Sequence, residues 1–379
     1  MKINVVEEFM ALASLNSPPR REAPVAAYLV ARLRELGMEP VVDDSAPLTG
    51  SDTGNIVVRV PGNTAGPVIL LGAHMDTVGP TAGMTPVLRD GVIYSNGETV
   101  LGADDKAGIA IILAVLAELQ AEDAPHGDIE IVFSVQEEVG LFGAKHLNAD
   151  LHAAFGYILD SSEEVGSIVN QAPSKVDLDF VLEGKAAHAG VCPEKGINAI
   201  VAAASAVARL HNGRIDAQTT LNVGVISGGK ARNIVPDRAE VAVEVRSTEK
   251  EKLEREVKAV LTAFDEAAAA SGARLTVLQD APFETFIIPE THPAVANAFR
   301  AARSIGIEPR LKTSGGGMDA NVFNSRGLPC VGLGLGVADP HSPQEHIPVA
   351  QLEAGVMFLK ALLTQAVTSP LPVSASAHR

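Results

Sequence analysis

Histidines and acids recur in this sequence at the ends of apolar, β-branched runs. His74 and Asp76 follow Val68–Leu71. Asp104 and Asp105 sit in LGADDKAG, at the start of a long apolar stretch. Glu137 and Glu138 follow Ile129–Val135, Asp160 closes Tyr157–Leu159, and His341 lies in the loop after Val331–Leu335. In an open α/β sheet the ligand crevice lies beyond the carboxyl ends of the strands, so five such clusters would meet in one place. Carboxylates gathered there without a cation would repel one another, and burying them unpaired costs several kcal/mol each. Two divalent ions, each held by a histidine and a carboxylate and sharing one bridging carboxylate, would neutralise the set. His, Asp and Glu without cysteine suit zinc with an open catalytic position, with Mn²⁺ or Co²⁺ as substitutes. Two metals ~3.5–4 Å apart can polarise a carbonyl and activate water. Each cluster alone is weak, since His-x-Asp is commonly structural and Asp-Asp before a helix is commonly a cap. The argument rests on their co-occurrence, in order, in one sheet.

The elements that must position these residues alternate between strand and helix. Pro19–Leu36 reads as an amphipathic helix stopped by Gly37, followed by strands at Pro40–Val42, Ile56–Val60 and Val68–Leu71. Asp90-Gly91 between apolar flanks is a type I′ hairpin signal. Ala107–Leu119 is almost wholly apolar and predicts a buried helix. This order predicts an α/β fold with a mostly parallel sheet covered by helices on both faces. From Ser174 the pattern changes: Val176, Leu178, Phe180 and Leu182 alternate with polar residues, as in a sheet with one wet face. A helix at Ile197–Leu210, strands at Leu221–Ile226 and Glu240–Arg246, a charged helix from Glu249 to Ala270 and a strand at Arg274–Leu278 complete an α+β, ferredoxin-like order. After Phe286 the first pattern resumes and ends in a helix at Val349–Ala366. Residues 174–286 therefore read as a domain inserted between 1–173 and 287–379. The tail TSPLPVSASAHR reads as disordered.

With 379 residues, two domains are the natural expectation. Aromatic residues are 4%, tryptophan is absent and the formal charge is −16, which argues against a nucleic acid or an anionic membrane as partner. No apolar run reaches the ~18 residues of a membrane span. Glu7 and Glu8 interrupt any signal-peptide core, and Cys192 and Cys330 read as buried free thiols, so a reducing, cytoplasmic setting is expected. The glycine-rich runs Ser314–Gly317 and Gly332–Gly336 lack the spacing and context of nucleotide motifs. SGGGMDAN, with Gly316 the middle of its three glycines, instead suits close approach of backbone to a substrate.

Seven stretches, GAHMDTV, LGADDKAG, SVQEEVGLFGAK, LDSS, AAHAG, SGGGMDANVF and PHSPQEHIPV, stand in this order along nearly the whole chain. Together they resemble the co-catalytic zinc aminoacylase and carboxypeptidase family, most nearly its peptidase T-like tripeptidases. The resemblance implies two zinc ions, with His74 on one of them, Asp104 bridging, Glu138 and Asp160 each on one ion, and His341 completing the second site. The family pattern His-x-x-x-Glu, matched by His341 through Glu345, favours His341 over His346. Glu137 would be the general base, and Asp76 would fix the tautomer of His74. The resemblance also implies a cis peptide at Asp104–Asp105. His188, in GKAAHAG, would stabilise the oxyanion of a partner subunit's site, making the inserted domain a lid and a homodimer interface. Arg246 and Asn233 match positions that contact the substrate's polar ends.

The expected activity is hydrolysis of short peptides by a metal-activated water. An N-acyl amino acid deacylase or a carboxypeptidase on the same scaffold is the alternative. A catalytically silent peptide-binding protein has no need for Glu137, and a purely structural assembly protein leaves the converging acids unexplained.

Overall fold

The computed structural model describes residues 2–368; the tail from Ser369 on, where disorder is expected, lies outside them. Up to the inserted region the strands are β1 (Val41–Val42), β2 (Ile56–Val60), β3 (Ile69–His74), β4 (Val87–Arg89), β5 (Val92–Tyr94), β6 (Ile129–Ser134), β7 (Phe155–Ser161) and β8 (Ser167–Ala172). The helices there are α1 (Val5–Ala13), α2 (Ala23–Glu35), α3 (Ala46–Thr49), α4 (Ala103–Glu122) and α5 (Phe142–Lys145). The inserted region contributes β9 (Ser174–Glu183), α6 (Ala199–Val207), β10 (Gly213–Arg214), β11 (Thr219–Gly228), β12 (Arg238–Ser247), α7 (Lys250–Ser271) and β13 (Arg274–Phe283). The remainder is β14 (Phe286–Ile287), α8 (Pro293–Ser304), β15 (Arg310–Thr313), α9 (Asp319–Ser325), β16 (Cys330–Gly334), β17 (His346–Pro348) and α10 (Val349–Thr368).

Two compact units result. The larger takes in the chain up to Gln171, Ile287–Ser314, and the chain from Met318 on; the smaller is Ala172–Phe286 with Gly315–Gly317. In the larger unit the sheet runs β1-β2-β6-β3-β7-β16-β8-β14, with β15 on β8. Its centre, β6-β3-β7-β16, is parallel, while β1–β2, β2–β6 and β16–β8 are antiparallel. The mostly parallel expectation thus holds at the centre and gives way at the margins, where short strands close the sheet. Every residue of β3 and β6 is buried, which requires cover on both faces. Helix α4 packs on β3 and β7 and against α1 and α10, while α9 packs on β7 and β16. Every residue of α4 from Asp105 to Ala117 is buried, so this helix has no wet face.

Local sequence explains most element ends. Asn4 caps α1 by accepting from the Val6 and Glu7 amides. Asp90 and Gly91 take φ +52 and +76, both positive as a type I′ turn requires, and Arg89 pairs with Val92 across it. The first long helix begins at Ala23 rather than Pro19, because Arg20 sits at φ +73 and its amide donates to the Glu22 carboxylate. Strands β8 and β10 carry little alternating pattern and were not expected from the sequence.

The smaller unit has sheet order β10-β11-β12-β9-β13, all antiparallel, with α6 and α7 packed on it. Taking β9, β11, β12 and β13 as its four long strands, this is the ferredoxin-like arrangement. Alternate residues of β9, among them Leu178 and Phe180, enter its core. Phe180 stacks on Phe264 of α7 at a centroid separation of 3.6 Å. Truncating Phe264→Ala removes that stack and should cost about 3–5 kcal/mol. An unchanged urea midpoint for the variant would contradict this packing.

Candidate metal centre

The parallel register delivers the candidate residues to one edge. His74 is the last residue of β3, opposite Ser134, the last of β6, from which the chain turns through Gln136 into Glu137 and Glu138. Asp160 lies near the end of β7, beside β3 and β16, and the His341 loop leaves the end of β16. Asp104 and Asp105 precede the regular part of α4, in a turn with non-helical dihedrals and a cis peptide between them.

Asp104 stands between two imidazoles. Its Oδ1 lies 3.2 Å from His74 Nε2 and its Oδ2 lies 3.2 Å from His341 Nε2. Asp160 Oδ1 lies 3.8 Å from His74 Nε2, and Glu138 Oε1 lies 3.0 Å from His341 Nε2. Among the described residues, His74, Asp104 and Glu138 form one group whose possible ligand atoms lie within 4.8 Å of one another, and His74, Glu137 and Asp160 form another. Seven of the sequence candidates therefore belong to this site: His74, Asp76, Asp104, Glu137, Glu138, Asp160 and His341. His346 does not join them: its Nδ1 faces the Gln344 carbonyl and its ring stacks on Tyr94.

Nδ1 of His74 lies 2.8 Å from the Asp76 carbonyl oxygen, which can only accept, so Nδ1 carries a proton and Nε2 is the nitrogen turned toward the acids. The Asp76 carboxylate is farther from that ring, at 3.4 Å, and accepts instead from the amides of Glu137 at 2.9 Å and Glu138 at 3.2 Å. The tautomer of His74 is thus fixed chiefly by the backbone of Asp76, and its side chain holds the neighbouring turn. Three further buried carboxylates act in the same way. Asp105 accepts from the His74 amide, Glu345 from those of Gly102 and Asp104, and Glu22 from that of Gln136, which sits at φ +52. Glu22 and Asp319 were not singled out from the sequence; single acids far apart in the chain carry no spacing signal. Asp319 accepts from the Ser134 hydroxyl and is pushed up to about 6 by burial.

The electrostatics show what the inner acids lack. Burial, then the charges of neighbouring carboxylates, raise Glu137 and Asp160 well above the ordinary range, and burial raises Glu138 despite its contact with His341. Asp104 is held below the ordinary range: burial opposes this, but His341 and His74 prevail. His341 is raised to about 10 by Asp104 and Glu138, and contacts with Asp104 and Asp76 raise His74 against the effect of burial. Glu138 Oε1 is buried, with His341 Nε2 at 3.0 Å as its polar neighbour. Two imidazole nitrogens and several carboxylate oxygens converge here, with no lysine or arginine from the described residues among them, a donor set that fits divalent cations. Lys106, the buried lysine nearby, donates instead to the Leu15 carbonyl at 2.5 Å and is lowered to about 7 by burial.

The other four candidates belong to the smaller unit. His188 is exposed, its Nδ1 accepts from the Gly190 amide, and its strand-like bridge to Ile234 puts it beside the exposed Asn233. Arg246 binds Glu244 through Nε and Nη2 and the Gly315 carbonyl through Nη1, next to Gly316. Cys330 is buried, whereas Cys192 is only half-buried, contrary to the expectation that both are interior.

Residues 70–365 match peptidase family M20/M25/M40. The chain belongs to that family. It is a hydrolase of peptide bonds, on the α/β fold with an inserted α+β domain described above. Among similar proteins, the crystal structure of aminopeptidase PepT from Bacillus cereus is 39% identical, with a TM-score of 0.87 over 96% of this chain and 98% of that one. A tripeptidase from Staphylococcus aureus is 34% identical, with a TM-score of 0.93 over 97% of this chain and 100% of that one. Peptidase T of Escherichia fergusonii is 29% identical over 89% of this chain and 83% of its own length.

The crowded acids of this M20 peptidase predict its response to pH when cations are removed. Raised carboxyls at Glu137, Glu138, Asp160 and Asp319 mean that the metal-free folded state binds more protons than the unfolded chain above about pH 4. Stability should therefore fall as pH rises from about 4 to 7; above that, Lys106 titrates in the opposite sense. Denaturation midpoints in chelator should be lower at pH 7 than at pH 5, and added divalent cation should narrow the gap. A chelated protein that gains stability over this interval would show that the acids are not in conflict.

Proposed function

We propose that this protein is a cytoplasmic, homodimeric di-zinc exopeptidase acting on short peptides, with tripeptides as the preferred class. The observation that carries the reading is Asp104, whose two carboxylate oxygens each face a different histidine. His74 and Asp160 would hold one ion and His341 and Glu138 the other, with Asp104 shared between them. Bound there, two zinc ions would polarise the scissile carbonyl and acidify an attacking water. Glu137 takes the proton of that water on a carboxylate oxygen and delivers it to the leaving amine, and no covalent intermediate forms. Its amide is anchored by Asp76, which fixes where that carboxylate can reach. The likeness to an aminopeptidase and a tripeptidase, each above 30% identity over nearly the whole chain, supports peptides over acyl-amino acids.

Glu137 also falls into a metal-compatible group with His74 and Asp160, so base and ligand are the two roles to separate. Glu137→Gln should lower kcat by ~10²–10⁴ while two ions remain bound. Loss of one ion in that variant would make Glu137 a ligand instead. A panel of di- and tripeptides with free and blocked termini, set against N-acyl amino acids, decides the substrate class; preference for the acyl compounds would overturn the peptidase reading.

In this reading residues 1–173 and 287–379 form the catalytic domain and 174–286 the lid and dimerisation domain. Strand β10 covers β11 only at Thr220 and Leu221, leaving an edge from Gly224 to Gly228 on which Val225 and Ile226 are exposed, as are Ile200 and Val201 of α6. An unpaired, apolar edge suits a second copy of the same strand. Arg246, Asn233 and Gly316 bind the polar ends of the peptide, and His188 stabilises the oxyanion in the partner's site. Mixing inactive His188→Ala and Glu137→Ala proteins under subunit exchange should recover about a quarter of native activity, because half of the dimers are mixed and half of their sites are whole. No recovery despite exchange would place His188 in its own chain's site.

A further inference from the structure

Two loops far apart in sequence meet at Asp104, and a single carboxylate ties them. Glu345 is 1% exposed, four residues beyond His341 on the same loop. Its Oε2 accepts from the Gly102 amide at 2.9 Å and its Oε1 from the Asp104 amide at 3.1 Å. Those amides need an outside acceptor. Gly102 sits at φ +74 and makes no side-chain cap, and Asp104 and Asp105 depart from helical dihedrals, so the turn cannot satisfy itself through α4. The loop that supplies the acceptor is anchored in its own right. Ser95 Oγ donates to the Pro343 carbonyl at 2.9 Å, and β17 pairs with β5 from His346 onward.

The two imidazoles are held by different means. The His74 backbone is fixed by the hydrogen bond its N–H donates to the Asp105 carboxylate, and its ring by the Asp76 carbonyl. His341 is half-exposed, sits at φ +61, and its Nε2 contacts are to Asp104 and Glu138. Among the described bonds, the direct tie between its loop and the backbone of Asp104 is Glu345.

Resting on the two-cation reading above, we propose that Glu345 is a positioning residue for one cation of the pair, the one shared by Asp104, Glu138 and His341. It sets the distance between the His341 loop and the outer oxygen of Asp104. On the other side of Asp104, His74 has fastenings of its own in Asp105 and the Asp76 carbonyl, so that half depends on Glu345 less.

The test is metal binding to the full-length protein. Zn²⁺ or Co²⁺ affinity and stoichiometry are measured by calorimetry and by the visible spectrum of the cobalt form, for wild type, Glu345→Gln and Glu345→Asp. The apo thermal midpoint of each is recorded alongside. Gln keeps one acceptor but turns an NH₂ donor against a backbone N–H; Asp keeps the carboxylate and shortens its reach. Two ions should remain detectable in wild type. In Glu345→Gln one of them should weaken by about 10–100-fold, the range for losing a partner that orients a ligand. The other should change less than about threefold, a difference well below that range. Glu345→Asp should show the same one-sided loss to a smaller degree, and carries the test if the Gln variant does not fold. A purely structural role would weaken both ions alike and in step with the apo midpoint, and that result, or two unchanged affinities, overturns the proposal. Wild type that binds fewer than two ions overturns the two-cation reading itself, and the proposal with it.

Discussion

Mutual repulsion among buried carboxylates governs the organisation of this molecule. Glu22, Asp76, Asp104, Asp105, Glu137, Glu138, Asp160, Asp319 and Glu345 gather where the parallel strands end. The structure resolves their conflict in two ways according to position. The outer acids accept from backbone amides: Glu22 from Gln136, Asp76 from Glu137 and Glu138, Asp105 from His74, Glu345 from Gly102 and Asp104. Those bonds favour the ionised carboxylates, yet burial still raises Glu22, Asp105 and Glu345 above the ordinary range. The inner acids face two imidazoles and one another, and burial drives Glu137, Glu138 and Asp160 toward protonation. Only positive charge placed among them relieves that state, so affinity for cations follows from the arrangement of the fold itself.

This division of labour assigns each acid a mechanical role. Those bonded to amides are fasteners that fix the backbone carrying His74, Asp104, Glu137 and Glu138. Those without amide partners are left with their oxygens free to bind. Asp76 illustrates the difference: its carbonyl orients His74 while its carboxylate holds the turn carrying Glu137. One residue thereby relates the position of His74 to that of Glu137.

Much of the inner set was legible in the sequence, because acids and histidines placed at the ends of apolar runs advertise a crevice in an α/β sheet. The hairpin at Asp90-Gly91 and the buried helix after Asp105 were legible for equally local reasons, turn chemistry and uninterrupted apolarity. What escaped was non-local. Glu22 meets Gln136 across more than a hundred residues, and nothing around Glu22 distinguishes it from an ordinary helix-start acid. Asp319 sits in a glycine-rich stretch whose glycines drew the attention, while its partner, Ser134, is the last residue of a strand in the other half of the chain. The grouping of Gly315–Gly317 with the smaller unit is likewise tertiary: a Cβ on Gly317 would fall 2.4 Å from the Phe283 ring, a contact that no sequence pattern announces. The late start of α2 depends on the positive φ of Arg20 and on the Glu22 carboxylate, and an apolar periodicity cannot report either.

Helix α4 approaches the sheet at Gly108, where a Cβ would come within 2.4 Å of both the Leu159 carbonyl and Asp105 Oδ1. The missing methyl group is therefore a spacer of zero thickness between the element that presents Asp104 and the strand that presents Asp160. Because the helix is buried along this length, it has no solvent side toward which to retreat. The gauge of the centre, the separation of Asp104 from Asp160, is written at a position that carries no side chain at all.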